Sequence, residues 1–208
     1  MRMRKKKNQE ARVAACHDYM IHSREELLTY SDRFPLYLEI GCGKGGFVCQ
    51  MAKRYPDRFF IALEVSTGAL ITAMERAISE QIQNVRFINA NAVTLNELFE
   101  KGEVARIYLN FSDPWPKARH AKRRLTYRSF LEQYRSILPD DGAIEFKTDN
   151  RDLFDFSLEE FEFCKMRITE LTYDLHNSEY NEDNIMTEYE KNFSEKGFTI
   201  NRAVVYMK

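Results

Sequence analysis

Five short apolar runs recur along the chain, each followed by a helix-length stretch, and that alternation restricts the fold more than any other feature. The runs are "LYLEIG" (36–41), "RFFIALEV" (58–65), "VRFINA" (85–90), "ARIYLNF" (105–111) and "GAIEFKT" (142–148). They are apolar, β-branched or aromatic, as strands of a buried parallel sheet are. The stretches between them, "GFVCQMAKRY", "TGALITAMERAISEQ", "LNELFEKG" and "TYRSFLEQYRSIL", read as helices. Strand and helix in turn predict βαβ units, hence an α/β fold with a doubly wound, mostly parallel sheet. Further on, a helix is expected near 151–163, a strand near 167–175, a short helix near 187–196 and a last strand at "FTINRAVVYM" (198–207). The turn at "EKGF" lets the last two strands pair antiparallel, for seven strands with an antiparallel last one. At 208 residues, with no repeat, linker or low-complexity segment, the expectation is one domain over 1–208 with a basic N-terminal arm at about 1–15.

Composition excludes several classes. No apolar run approaches the length of a membrane span, and the start "MRMRKKKNQEAR" has no apolar segment to act as a signal peptide. Cys16, Cys42, Cys49 and Cys164 form no C-x-x-C pair and have no His at zinc-ligand spacing. They read as reduced packing thiols of a cytoplasmic protein without a structural metal. Net charge is −1, but the charge is segregated. Residues 115 to 128 carry six Lys/Arg and no acid, while residues 149 to 195 carry fourteen Asp/Glu against four Lys/Arg. Arg2, Arg4, Lys5, Lys6 and Lys7 add a second basic run. Such a chain can present a basic face to an anion and repel it elsewhere.

Four of the eight glycines fall within six residues, in "EIGCGKGGF" (Gly41, Gly43, Gly45, Gly46). The loop follows the first strand and opens the first helix, the context of a nucleotide-type cofactor site. Glu64, at the end of the second strand, stands where an acid can hold the two hydroxyls of a ribose. Both NAD and S-adenosylmethionine use this arrangement. Glu39 favours the methyl donor, since a carboxylate there repels a pyrophosphate and attracts the ammonium of a methionine moiety. Asn91, in "NANA" after the third strand, is positioned to read an adenine edge. Asp113 follows strand four, at the carboxyl edge where doubly wound folds bind ligands.

Asp113 opens "DPWPKARHAKRR", which holds the chain's one tryptophan, Trp115, between Pro114 and Pro116. The prolines fix two φ angles and restrict the residues before them, so the turn is stiff. Together with "LEV", "KTDN" and "TEYE", these motifs make the chain resemble the bacterial tRNA (guanine-N7-)-methyltransferases from about residue 36 onward. The resemblance implies a class I methyltransferase fold and transfer of a methyl group from S-adenosylmethionine to N7 of the variable-loop guanine, tRNA position 46. It implies cofactor contacts at Glu39, Gly41, Gly43, Glu64, Asn91 and Asp113, with Asp113 also the active-site residue. Lys117, Asp149, Thr187, Glu188, Tyr189 and Glu190 would contact substrate; Arg119, His120, Ala121, Lys122, Arg123 and Arg124 would contact RNA. Ala62 and Ala118 depart from the usual Gly and Lys of that family.

Guanine N7 has a lone pair and no proton, so its attack on a sulfonium methyl needs alignment and charge tuning, not a general base. Asp113 or Asp149 can stabilise the positive charge that develops on the base. Trp115 either stacks on that base or walls the pocket. In "TEYE", Thr187 and Glu190 also have the spacing of a helix capping box, a reading compatible with a substrate role for Glu190 but making a different demand on its charge. An NAD-dependent oxidoreductase and a non-catalytic RNA-binding protein on the same fold are the alternatives, and monomer and homodimer both remain open.

Overall fold

In the computed structural model, residues 8–31 and 34–208 are described. Two helices, α1 (Gln9–Ala15) and α2 (Arg24–Ser31), precede the alternating part. There β1 (Leu36–Ile40), α3 (Gly46–Arg54), β2 (Phe59–Leu63), α4 (Thr67–Ser79), β3 (Val85–Ile88), α5 (Leu95–Leu98) and β4 (Val104–Asn110) follow in turn. Then come α6 (Arg128–Ile137), β5 (Ala143–Thr148), α7 (Arg151–Phe163), β6 (Arg167–Thr172), α8 (Glu188–Ser194) and β7 (Asn201–Tyr206).

All seven strands join one sheet in the order β3-β2-β1-β4-β5-β7-β6. The first five pair in parallel, and β7 lies antiparallel to both β5 and β6. This is the doubly wound, mostly parallel sheet with an antiparallel last strand that the sequence predicts. The apolar strands divide by alternation, because successive side chains point to opposite faces. In β2, Phe59, Ile61 and Leu63 join the cluster built with α6 and α7, whereas Phe60 and Ala62 join the one built with α3 and α4. Burying a Phe or Leu side chain in such a cluster contributes about 1.5–3 kcal/mol.

Three local expectations change. Helix α5 stops at Leu98 instead of 102, because Phe99 turns extended and buries its ring in the core. Strand β6 stops at Thr172, after a break in register with β7 beyond Thr169. The expected arm is in part a docked helix: Arg12 in α1 donates Nε and Nη2 to the two carboxylate oxygens of Glu75 in α4, at 2.7 and 2.6 Å. Arg2, Arg4, Lys5, Lys6 and Lys7 lie outside the described residues.

Strand β1 has β2 on one side and β4 on the other. The chain therefore leaves the ends of β1 and β4 in opposite directions, opening the crevice in which sheets of this kind bind ligands.

Candidate active site

At the end of β1 the backbone turns back over the sheet. The Gly41 and Cys42 N–H groups both donate to Leu63 O, at 2.7 and 3.2 Å, which ties the loop to the end of β2. Gly45 has φ +74°, and a Cβ on it would lie 2.8 Å from that of Ala73, so α3 can start against α4 only with glycine here. Gly41, at φ +80°, has open space where its Cβ would be, on the side of the crevice. Two adjoining cavities occupy that crevice, about 400 and 360 Å³, sharing Gly41, Asn110 and Phe111 as common walls. Glu64, Asn91, Asp113, Trp115 and Arg123 line the larger lobe; Glu39, Gly43 and Thr187 to Tyr189 line the smaller.

Glu39 is 3% exposed, inside β1. The Asn110 amide donates to its Oε1 at 3.0 Å. Its Oε2 and the Asn110 Oδ1 are buried with no partner among the described residues. Burial pushes the Glu39 carboxyl up to about 7, against the opposing pull of Asn110 and Lys147. Two buried acceptors left open are costly unless a ligand donates to both. A primary ammonium has three donors, enough for both, so the residues fit the methionine end of S-adenosylmethionine.

Glu64 accepts from Gly43 N–H at 3.0 Å and Ser66 N–H at 2.8 Å, one on each oxygen. The bonds orient the carboxylate along the larger lobe and leave each oxygen capacity for one more donor, as a ribose diol supplies. Asn91 spends its carbonyl on a local cap, accepting from Val93 N–H at 3.1 Å. Its amide nitrogen is the group left to meet an adenine.

The turn after β4 is built as stiffly as its prolines suggest, in an uncommon conformation: Phe111 and Trp115 have φ of 52° and 42°. Arg124 holds it, donating Nε to Pro114 O at 3.0 Å and Nη2 to Trp115 O at 3.1 Å while covering the Phe156 ring. Asp113 is exposed at the mouth of the larger lobe. Residues 118–123 form a 3-10 turn. Within the basic run, Arg124 thus serves the loop, and Arg123 lies with its guanidinium carbon 4.5 Å from the centre of the Trp115 ring. His120 meets the same ring edge-on. Lys117, Arg119 and Lys122 are exposed without ion-pair partners among the described residues, and Ala121 spaces them.

The "TEYE" segment is anchored more than the resemblance suggests. Thr187 and Glu190 form the capping box of α8: Thr187 Oγ1 accepts from Glu190 N–H at 2.9 Å, and Glu190 Oε2 accepts from Thr187 N–H at 3.3 Å. Glu190 is wholly buried. The Lys147 ammonium donates to its Oε2 at 2.9 Å, the Asn184 amide to Oε1 at 2.7 Å, and His176 Nε2 lies 2.9 Å from Oε1. Burial alone would raise this carboxyl, but the charge and hydrogen bond of Lys147, with His176 and Asn184, hold it below the usual carboxylate range. Both oxygens of Glu190 are therefore engaged within the fold. Glu188 pairs with Arg76 of α4. Tyr189 alone of the four puts a ring into the cleft, against Phe111 and stacked on Phe193 at 4.1 Å. Burial, and then the neighbouring Asp149 carboxylate, push its phenol up.

Sequence reasoning did not single out Asn110, Lys147 or His176. Lys147 had a weak signal, a lysine inside the apolar strand "AIEFKT"; the acid in that strand, Glu145, pairs with Arg106 and Arg202, so the counterion of Lys147 comes from elsewhere in the fold. Among the described residues, no group of three or more His, Cys, Asp or Glu could hold a metal ion. No helix there is long and apolar enough to cross a membrane.

A doubly wound sheet with a glycine turn after β1 and acids on β1 and after β2 defines the class I methyltransferase fold. The 16S rRNA methyltransferase KamB has that fold, superposing with a TM-score of 0.68 over 90% of this chain and 94% of its own at 11% identity. The family model described as "Putative methyltransferase" matches residues 33–203. Over 99% of this chain and 95% of its own, the tRNA (guanine-N(7)-)-methyltransferase of Geobacillus sp. (strain WCH70) is 45% identical. That of Limosilactobacillus reuteri (strain DSM 20016) is 46% identical over the full length of both. The chain belongs to the tRNA (guanine-N(7)-)-methyltransferase family.

Proposed function

We propose that the protein methylates N7 of a guanine in tRNA, at position 46 of the variable loop, with S-adenosylmethionine as donor. The observation that supports the donor is the open acceptor pair, Glu39 Oε2 and Asn110 Oδ1, beside the glycine turn, and the family supports tRNA and N7 as the target. When bound, the cofactor supplies an electrophilic methyl on a sulfonium sulfur. Glu39 and Asn110 hold its ammonium, Glu64 its ribose hydroxyls, and Asn91 its adenine. Asp113 lies at the lobe's mouth, where its carboxylate would stabilise the positive charge that passes to the guanine as N7 takes the methyl and the methyl–sulfur bond breaks, leaving the neutral thioether S-adenosylhomocysteine. Asp149 and Tyr189 bound the guanine on the opposite side. Lys117, Arg119 and Lys122 grip the phosphates on either side of it. No side chain has to remove a proton. The base leaves its stack to reach the cleft, as bases do in enzymes that modify them. The reaction belongs in the cytoplasm, where tRNA is.

Unmodified tRNA incubated with the protein and a methyl-labelled donor is the test. Label on N7 of the variable-loop guanine is expected; label on another atom, or on another nucleotide only, overturns the reading.

A further inference from the structure

The larger lobe contains a side chain in a place that a substrate could use. Arg123 is exposed, has no ion-pair partner among the described residues, and rests on the face of Trp115. Both residues line the lobe that also holds Glu64 and Asp113. The indole is held: its backbone is bound by Arg124 and bracketed by Pro114 and Pro116, and His120 packs perpendicular to it. The Arg123 guanidinium makes no hydrogen bond or ion pair among the described residues, only this contact with the ring. A planar, cationic guanidinium on an indole occupies the same kind of surface that a purine ring takes when it stacks on an aromatic side chain.

We propose that this face of Trp115 is the stacking site for the target purine, and that Arg123 covers it until an RNA phosphate draws the guanidinium away. The inference rests on the reading that the protein acts on a guanine of tRNA. The residue types suit such an exchange. Guanidinium on indole is an attraction of the ring for a cation, and it is surrendered only when a phosphate offers that cation a bidentate partner. A purine then replaces it with a broader stack. Phosphate binding is thereby a condition for uncovering the site, and a free base or nucleoside, lacking neighbouring phosphates, meets a covered one. Arg124 next to it cannot take this role, because its donors are committed to the turn.

Trp115 is the only tryptophan of the chain, so its emission reports on this site alone. The experiment measures acrylamide quenching of that emission in the full-length protein, alone, with inorganic polyphosphate, and with unmodified tRNA. Polyphosphate has phosphates and no bases, so it is expected to raise quenching by removing the cover. The tRNA is expected to lower quenching below that of the protein alone, because a base takes the face. Arg123→Ala is expected to start with high quenching, to lose the polyphosphate response, and to keep the protection by tRNA. Arg123→Lys, which keeps the charge and loses the plane, also starts high and serves if the Ala variant does not fold. Unchanged wild-type quenching with polyphosphate, or an equal response in the Arg123 variants, removes Arg123 as the cover. Quenching that rises with tRNA as it does with polyphosphate removes the stacking site. Methyl transfer measured on the same preparation separates the two levels. Methylation of tRNA with the wrong quenching pattern overturns the exchange alone, whereas failure to methylate any tRNA overturns the functional reading beneath it.

Discussion

Glu190→Gln tests whether the "TEYE" segment is a buried joint or a substrate contact. The change replaces a carboxylate with an amide of almost the same shape, and the capping box survives it, since an amide oxygen still accepts from Thr187 N–H. What does not survive is the charge opposite Lys147, whose side chain, like that of Glu190, has 0% exposure. Removing one partner of a buried ion pair costs about 3–5 kcal/mol, because the remaining charge stays in a medium that cannot solvate it. Asn184 Oδ1 and Ile185 O still accept from Lys147, at 2.9 and 3.0 Å, which favours the lower end. At about 2–4 °C per kcal/mol for a chain of this size, the melting temperature should fall by roughly 6–20 °C. The pH dependence has a definite sign. The Glu190 carboxyl is held low in the folded state, so its contribution is present above the ordinary carboxylate pKa and lost as pH falls through the depressed one. Thermal melts at pH 7 and at acid pH, on wild type and variant, read both effects; the gap should narrow in acid. A melting temperature within about 1 °C of wild type at pH 7, well inside the shift expected for a broken buried pair, would refute the reasoning and return Glu190 to a role at the cleft surface.

Asp113→Asn is expected to abolish methyl transfer with the melting temperature unchanged, since Asp113 is exposed and its replacement nearly isosteric; retained turnover in a single-turnover assay removes it from the mechanism. Stabilisation of the protein by S-adenosylhomocysteine should weaken as pH drops below about 7, because protonation of Glu39 competes with the ligand's ammonium; melts across pH 5.5–8.5 show it, and Glu39→Gln should flatten the profile. In the free protein the raised carboxyl has the opposite linkage from Glu190, with stability present below its unfolded pKa and lost as pH rises towards 7. Arg119→Ala with Lys122→Ala should make the slope of log affinity for tRNA against log salt shallower, by about one unit for each phosphate no longer gripped. Arg124→Ala should instead shift Trp115 emission before any RNA is added, by freeing the turn.

The strands were legible because burial on both faces leaves a near-continuous apolar run, and the glycine turn because few other functions demand four glycines in six residues. Glu39 and Glu64 could be singled out by their places relative to that turn. The directions of other side chains could not, because they depend on partners far away in sequence. Glu190 faces inward on account of Lys147, 43 residues before it, and Glu188 is held by Arg76, 112 residues before it. The basic run reads as uniform in sequence, yet Arg124 turns back to two carbonyls and Lys122 does not, a difference that only the curl of the proline turn creates. Asn110 carries no signal in the sequence, since one asparagine ending a strand looks like any other; its role lies in the unpartnered oxygen beside it in the fold.

Strand β7 lies between β5 and β6, although it follows both in the chain. The order of assembly is constrained by that placement. Until residues 201–206 arrive, β6 has no neighbour to hydrogen-bond, and β5, a core strand of the finished sheet, is an open edge inviting another chain. During synthesis the strands of the parallel half emerge first and can pair first, while β6 has to wait for β7, the one strand it pairs with. Helix α8 lies in the connection between them, so the Tyr189 wall of the cleft is completed in that same late step. Pulse-labelled hydrogen exchange should find protection in β6 and β7 rising at one rate, after that of β1, β2 and β4. A young chain would thus have its cofactor turn well before it has a place for a substrate.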